Sequence, residues 1–220
     1  MSDGLQAGAW VLALGLGLAG CVQLRRWGVP TTYIRDLLHV GAGVWVLGWP
    51  FWHHWGAPVA ITGGATLLIA MGPSLARRIP AAASFRDSVS DADERWVGLV
   101  LYTLAFAFFT AAGMCVERYS AAAALWALCL GDGVGGAVGR RLGRHSFSMP
   151  GGKRKSLEGS AAGALFAAAG VALAGTYFGE PVALGRAVVL GLVASFAEAL
   201  SPRATDNLLV PLAVWLSANI

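Results

Sequence analysis

Four stretches of this chain run 20 residues or more without a charge: residues 5–24, 55–76, 96–116 and 159–179. A helix rises about 1.5 Å per residue, so about 20 apolar residues cross a hydrocarbon core of roughly 30 Å. Closed barrels are the other solution that satisfies a backbone in lipid. Their strands alternate apolar and polar residues, and none of these stretches does. The expected fold class is therefore all-α, a polytopic transmembrane helix bundle. Composition agrees. The chain is 56% hydrophobic and 13% charged, against about 25% charged residues in soluble domains, which leaves too little polar surface to cover a globule in water.

Four further stretches fill the gaps. Residues 37–52 are apolar apart from His39, and residues 119–139 apart from Asp132. Residues 181–200 carry Arg186 and Glu198 near opposite ends, and residues 207–220 are apolar but short. The count is about eight spans, with seven as the alternative, in a single integral membrane domain over residues 1–220. Eight spans place alternate loops on one side. That side collects 14 of the 16 Lys and Arg residues and leaves only Arg118 and Arg186 on the other. Positive charge stays cytoplasmic. The expectation is a multi-pass protein of a prokaryotic-type inner or plasma membrane, with both termini outside and cytoplasmic loops near residues 77–95 and 139–157. The start of the chain has no basic segment before its first apolar run, so that run reads as a retained anchor rather than a cleaved signal.

Several residues invite special readings. Trp49, Trp52 and Trp55 read as an interfacial aromatic belt. The adjacent His53 and His54 point different ways and read as an outer turn rather than a metal site. Residues 84–94 read as a solvated, acid-rich loop. Cys21, Cys115 and Cys129 form no CxxC pair and read as small apolar residues in helices.

Ionisable residues inside spans are costly and usually functional. Here they are Arg35, His39, Asp132, Glu158, Glu198 and Asp206, with Asn207 adjacent. The topology puts each near the cytoplasmic end of its span, contributed by four or more helices. Acids and bases converging at one depth are what a site needs.

The richest segment is Gly131-Asp132-Gly133-Val134-Gly135-Gly136-Ala137-Val138-Gly139-Arg140-Arg141-Leu142-Gly143-Arg144-His145. Its glycines permit close approach of backbone or ligand. Asp132 is a hard oxygen ligand suited to Mg²⁺, and the arginines suit phosphate oxygens. A Pro150-Gly151-Gly152 turn follows, and Lys153, Arg154 and Lys155 lead to Ser156, an expected N-cap whose helix end favours an anion. Gly131-x-Gly133-x-x-Gly136 matches the dinucleotide pattern, but no strand precedes it. Gly152-Lys153 lacks the first glycine of a P-loop, because Phe147 stands there.

At these residues the sequence resembles the CTP-dependent lipid-alcohol kinases: dolichol kinase, phytol/farnesol kinase and the CTP-type diacylglycerol kinase. Three blocks carry the resemblance. They are Gly131-Asp132 with Gly139-Arg140 and Gly143-Arg144-His145; then Lys155-Ser156-Leu157-Glu158-Gly159-Ser160; then Glu198-Ala199-Leu200-Ser201 with Asp206-Asn207-Leu208-Leu209-Val210-Pro211-Leu212. A fourth, Arg35-Asp36-Leu37-Leu38-His39, resembles the family's early Arg-Lys-x-x-His, with Asp36 in place of lysine.

The resemblance implies a membrane-embedded kinase that moves the terminal phosphate of CTP to the hydroxyl of a membrane lipid alcohol: a polyprenol, dolichol, phytol, farnesol or diacylglycerol. It implies Mg²⁺ as cofactor, and CTP, a lipid alcohol and the bilayer as partners, with no nucleic acid. Asp132, Asp206 and Glu198 then hold the metal. Gly131, Gly139, Arg140, Gly143, Arg144, Lys153, Lys155, Ser156, Glu158 and Asn207 bind CTP and its phosphates. His39 or a carboxylate (Asp132 or Glu198) takes the hydroxyl proton. The alternatives are an enzyme like phosphatidate cytidylyltransferase, which transfers CMP, and a small polytopic transporter.

Overall fold

The computed structural model describes residues 2–90, 93–149, 154–202 and 204–220. It is 82% helical. In order, the helices are α1 (Asp3–Arg26), α2 (Thr31–Ala42), α3 (Gly56–Ala70), α4 (Gly72–Ala76), α5 (Pro80–Val89), α6 (Asp93–Cys115), α7 (Arg118–Leu142), α8 (Leu157–Phe178), α9 (Leu184–Leu200) and α10 (Asp206–Ala218). Four of them are long and apolar enough to cross a membrane: α1, α6 from Trp96, α7 and α8. This is a membrane protein built on helices, while α3 and α10 are apolar but shorter.

Helix α7 is the hub. It packs most extensively on α8 and also meets α2, α6, α9 and α10. Its first half, from Tyr119 to Cys129, is buried on every side. The run Ala121–Ala124 explains this, because four small side chains let neighbours close in all round. The Glu117 carboxylate caps the start of α7 on the backbone of Tyr119 and Ser120. Helix α8 starts at its Ser156 cap, as expected, and ends at Gly179, whose positive φ of 78° closes the left-handed C-cap.

Four expectations need correction. First, residues 37–52 are not one helix. Helix α2 ends at Ala42 and continues as a 3-10 segment, Gly43–Phe51, with Pro50 inside it. Proline removes a backbone donor and clashes with the preceding turn. Second, residues 55–76 break after Ala70, where Gly72 and Pro73 start the short α4. Third, the loop expected over 77–95 holds α5, and α6 starts at Asp93, so much of the acid-rich stretch is helical. Fourth, the loop over 139–157 holds the last turn of α7 and a two-stranded antiparallel hairpin, β1 (Ser146–Ser148) on β2 (Arg154–Ser156), a small departure from all-α.

The tryptophan belt is also revised. Trp49 is 0% exposed and Trp52 5%, while Trp55 alone stands out at 61%. Trp45 donates its indole N–H to Thr110 Oγ1 at 2.9 Å. Trp49 stacks near Phe178, with centroids 6.2 Å apart. Rings expected at an interface instead tie the 3-10 segment into the core. His53 and His54 do face a carboxylate, from a distant part of the chain. Asp3 accepts the backbone N–H of both at 3.0 Å, and its Oδ1 lies 2.8 Å from His53 Nδ1. Cys21 and Cys129 are buried and Cys115 is exposed, all three as free thiols.

Candidate active site

The site is built on the α7–α8 contact. Gly131 and Gly135 face α8 so closely that a Cβ on Gly135 would stand 3.0 Å from Gly159 O, and one on Gly131 would stand 3.1 Å from Gly163 O. Backbone meets backbone there, which keeps α7 helical through its glycine run. Towards the α7 C-terminus the two helices bound a polar cavity of about 400 Å³.

Asp132 lies on this cavity. It sits ten residues before the end of α7, about 15 Å along the helix. That corrects the expectation of a helix-end position. His39 is likewise in the last turn of α2, deeper than its first-turn neighbours. Glu198, Glu158 and Asp206 do sit in the terminal turns of their helices.

Three cationic side chains line the same cavity. Lys155, from β2, forms an ion pair with Glu198 of α9. Arg140, in the last turn of α7, pairs with Asp36 of α2. Its guanidinium also lies 5.5 Å from the Tyr33 ring centroid. Arg154 donates to Ser146 Oγ at 2.9 Å across the hairpin. Gly139, Gly143, Ser156 and Ser160 complete this part of the wall. Gly139 faces the Ser156 hydroxyl, which a Cβ there would approach to 3.3 Å.

Behind Asp132 stands His39. Its Nδ1 lies 3.0 Å from Asp132 Oδ2, and the histidine is only 6% exposed. The Tyr102 ring stacks on the His39 ring with centroids 4.2 Å apart. The Tyr102 hydroxyl donates to the His39 carbonyl at 2.9 Å. A buried, stacked imidazole thus stands against the carboxylate at 3.0 Å, without hydrogen-bond geometry to it.

The other expected site residues lie apart. Glu158 points into the loop after α7. It accepts the backbone N–H groups of Arg144 at 3.1 Å and His145 at 3.3 Å, and reaches His145 Nδ1 at 2.6 Å. Arg144 and Glu158 do not line the cavity, and neither do Gly131 and His39, which face neighbouring helices. Asn207 is 4% exposed and donates to the Gly98 carbonyl at 2.9 Å, joining α10 to α6. Asp206 opens α10 beside it. Lys153 and the Pro150-Gly151-Gly152 turn lie outside the described residues.

Asp36 was not in the expected site, nor were Tyr33, Tyr102, Arg154, Ser146 and Ser160. For Asp36 the signal was present: it lies three residues before His39, on the same face of α2.

Does this donor set fit Mg²⁺? Among the described residues, no three His, Cys, Asp or Glu side chains form a group that could hold an ion. A dedicated protein cage is therefore not formed. Mg²⁺ usually binds through one or two carboxylates, with phosphates and water filling the rest. Asp132 and Glu198 on a cavity that also carries Arg140, Arg154 and Lys155 fit that mode: carboxylates for a metal, cations for the anion that brings it. The fold and site thus define a helical membrane protein with a charged cavity sunk into the bundle. No known protein family, curated protein or solved structure matches the chain.

Proposed function

We propose that this protein is a membrane phosphotransferase that moves the terminal phosphate of CTP to the hydroxyl of a membrane lipid alcohol. The observation that carries the reading is the cavity itself. Asp132 and Glu198 meet Arg140, Arg154 and Lys155 there, from α7, α9 and the hairpin, beside the family-like blocks. Phosphoryl transfer asks little of a protein beyond positioning and charge neutralisation, and this arrangement offers both.

In this reading Arg140, Arg154 and Lys155 bind the triphosphate, with the Ser156-capped start of α8 adding N–H groups. Asp132 and Glu198 would hold Mg²⁺, with Asp206 nearby in the fold, and the ion would supply charge neutralisation for the phosphates. The alcohol oxygen attacks the terminal phosphorus, the bond to the β-phosphate oxygen breaks, and CDP leaves. The hydroxyl proton passes to a carboxylate on the cavity, Asp132 or Glu198, with His39 3.0 Å behind Asp132. We further propose eight membrane crossings. The short α2 plus its 3-10 segment, α3, α9 and α10 supply the four beyond the long helices, and the Arg140–Lys155 end faces the cytoplasm, where 14 of the 16 basic residues then lie.

The test is direct. Purified protein with CTP and Mg²⁺ should phosphorylate a lipid alcohol, and Asp132→Asn should reduce this at least a hundredfold while expression is kept. Full activity in Asp132→Asn would sink the assignment. CDP-lipid and pyrophosphate as products would move the protein to the cytidylyltransferases.

A further inference from the structure

Arg140 and Lys155 each pair with a carboxylate, and the two pairs differ in where that carboxylate stands. Arg140 lines the charged cavity, but its partner Asp36 does not. Arg140 can therefore receive a ligand oxygen while Asp36 stays in place. Lys155 and Glu198 both line the cavity. Their ion pair lies inside the space that a ligand would fill.

This pair is shielded from water, with side chains 15% and 21% exposed. Among the described residues, Glu198 is the one ion-pair partner of the Lys155 ammonium, which is buried and makes no hydrogen bond elsewhere. An ammonium carries three donors, so Lys155 has donors left to give. A second carboxylate, Asp132, lies on the same cavity within electrostatic reach of both. Two carboxylates in one partly buried site repel each other, and Lys155 is the cation that offsets them. In the empty cavity it fills the charge role of a divalent ion.

The pair can open without a change of fold. The Lys155 backbone is fixed on both sides. Phe147 stands opposite it in the hairpin, and the next residue, Ser156, accepts the Gly159 N–H at 3.1 Å to cap α8. Its side chain is a flexible four-carbon stem. A swing of that stem is enough to exchange one counter-ion for another.

We infer that Lys155 is a charge-exchange residue: it offsets Glu198 in the empty cavity and passes to a phosphate oxygen only when a divalent cation takes its place beside Glu198 and Asp132. The ligand is then a metal–polyphosphate pair, and neither half binds well alone. The cation alone strands Lys155. The polyphosphate alone, on taking Lys155, strands Glu198. A buried charge that loses its partner is costly, and each half of the ligand supplies the charge that the other strands. The proposal deepens the phosphotransferase reading and rests on it for the class of ligand.

The test uses the full-length protein in nanodiscs, with inorganic triphosphate as the anion and Mn²⁺ as the cation. Calorimetry follows triphosphate, and electron paramagnetic resonance follows Mn²⁺. Wild type should bind the Mn²⁺–triphosphate complex at least about tenfold tighter than either half alone. Glu198→Gln frees Lys155 and should bind metal-free triphosphate at least about tenfold tighter than wild type does. Lys155→Gln frees Glu198 and should bind Mn²⁺ alone tighter than wild type by a similar factor. Asp36→Asn, whose carboxylate is off the cavity, should keep the wild-type ratio between metal-loaded and metal-free triphosphate. Tighter binding cannot come from misfolding, and both gains are required. Absence of either gain overturns the exchange and leaves the pair as a brace between the hairpin and α9. So does wild type that binds metal-free triphosphate as tightly as the complex, a result that needs no variant. The two readings fail separately. Both gains without CTP-dependent phosphorylation of a lipid alcohol by wild type uphold the exchange and sink the kinase. Phosphorylation without the gains does the reverse.

Discussion

Replacing Gly135 by alanine should show how tightly the charged cavity depends on the α7–α8 contact. The new Cβ would lie 3.0 Å from Gly159 O and Gly163 Cα and 3.2 Å from Gly163 N. All three are backbone atoms, so no side chain can swing aside. The helices must separate by a few tenths of an ångström. Overpacking of this kind costs about 1–3 kcal/mol. Against it stands the helix preference of alanine over glycine, about 1 kcal/mol.

That second term can be isolated. Gly64 lies within α3, is exposed, and a Cβ there would meet nothing within 4 Å. Gly64→Ala therefore gains the preference without the clash. The difference between the two variants is the clash alone. At roughly 2–4 °C per kcal/mol for a chain of this size, Gly135→Ala should melt about 2–12 °C below Gly64→Ala. The 9 tryptophans provide the signal for a fluorescence melt in detergent. Because Asp132 sits on α7 and Ser156 caps α8, the same separation should weaken nucleotide binding in Gly135→Ala. Two variants that rise equally in melting temperature would refute the close-packed contact.

Three more outcomes follow from named pairs. Asp36→Asn removes the charge that holds Arg140, a partly exposed pair contributing about 1 kcal/mol, so KM for CTP should rise roughly fivefold; an unchanged KM means Asp36 does not position the arginine. Thr110→Val keeps shape but strands the buried Trp45 indole N–H, which costs about 1–3 kcal/mol, and a melt within 1 °C of wild type, on the same roughly 2–4 °C scale, would contradict that bond. Glu158→Gln loses the charge that gathers the Arg144 and His145 amides. Hydrogen exchange at those amides should speed up about tenfold while the α7 core stays protected, and equal protection would show that Glu158 is not the latch.

What could be read before the fold was known follows from what composition encodes. Length and freedom from charge located the helices, because both are properties of a segment alone. Where the helix breaks was harder. The 3-10 segment and α4 depend on Pro50 and on Gly72-Pro73, and prolines in membrane helices are common enough to be overlooked. Tryptophan misled for a related reason. An indole suits a membrane interface and a packed core equally, so Trp49 gave no sign that Gly113 of α6 makes room for its ring. The hairpin was hidden because three-residue strands carry no usable period.

The site divides along the same line, and the glycine run shows how. The glycines there read as room for either backbone or ligand, with nothing to say which glycine does which. Gly131, Gly135 and Gly139 are four apart on one face of α7, with Gly143 at its C-cap; Gly131 serves helix packing, Gly135 both packing and the cavity, and Gly139 and Gly143 the cavity. Gly133 instead makes room for Val40 and the Asp36 carbonyl of α2. One motif thus fixes two helix contacts and one wall of the site, and no spacing rule separates those uses without the partners. The same holds for charge. Asp36 and Arg140 are 104 positions apart, and Lys155 and Glu198 are 43 apart. A single sequence marks such residues as candidates because charge in a span is costly, but only the fold says which acid answers which base. Here it pairs Arg140 with Asp36 and Lys155 with Glu198, and sets the His39 imidazole beside Asp132, an assignment that crosses from α2 to α7 and from the hairpin to α9.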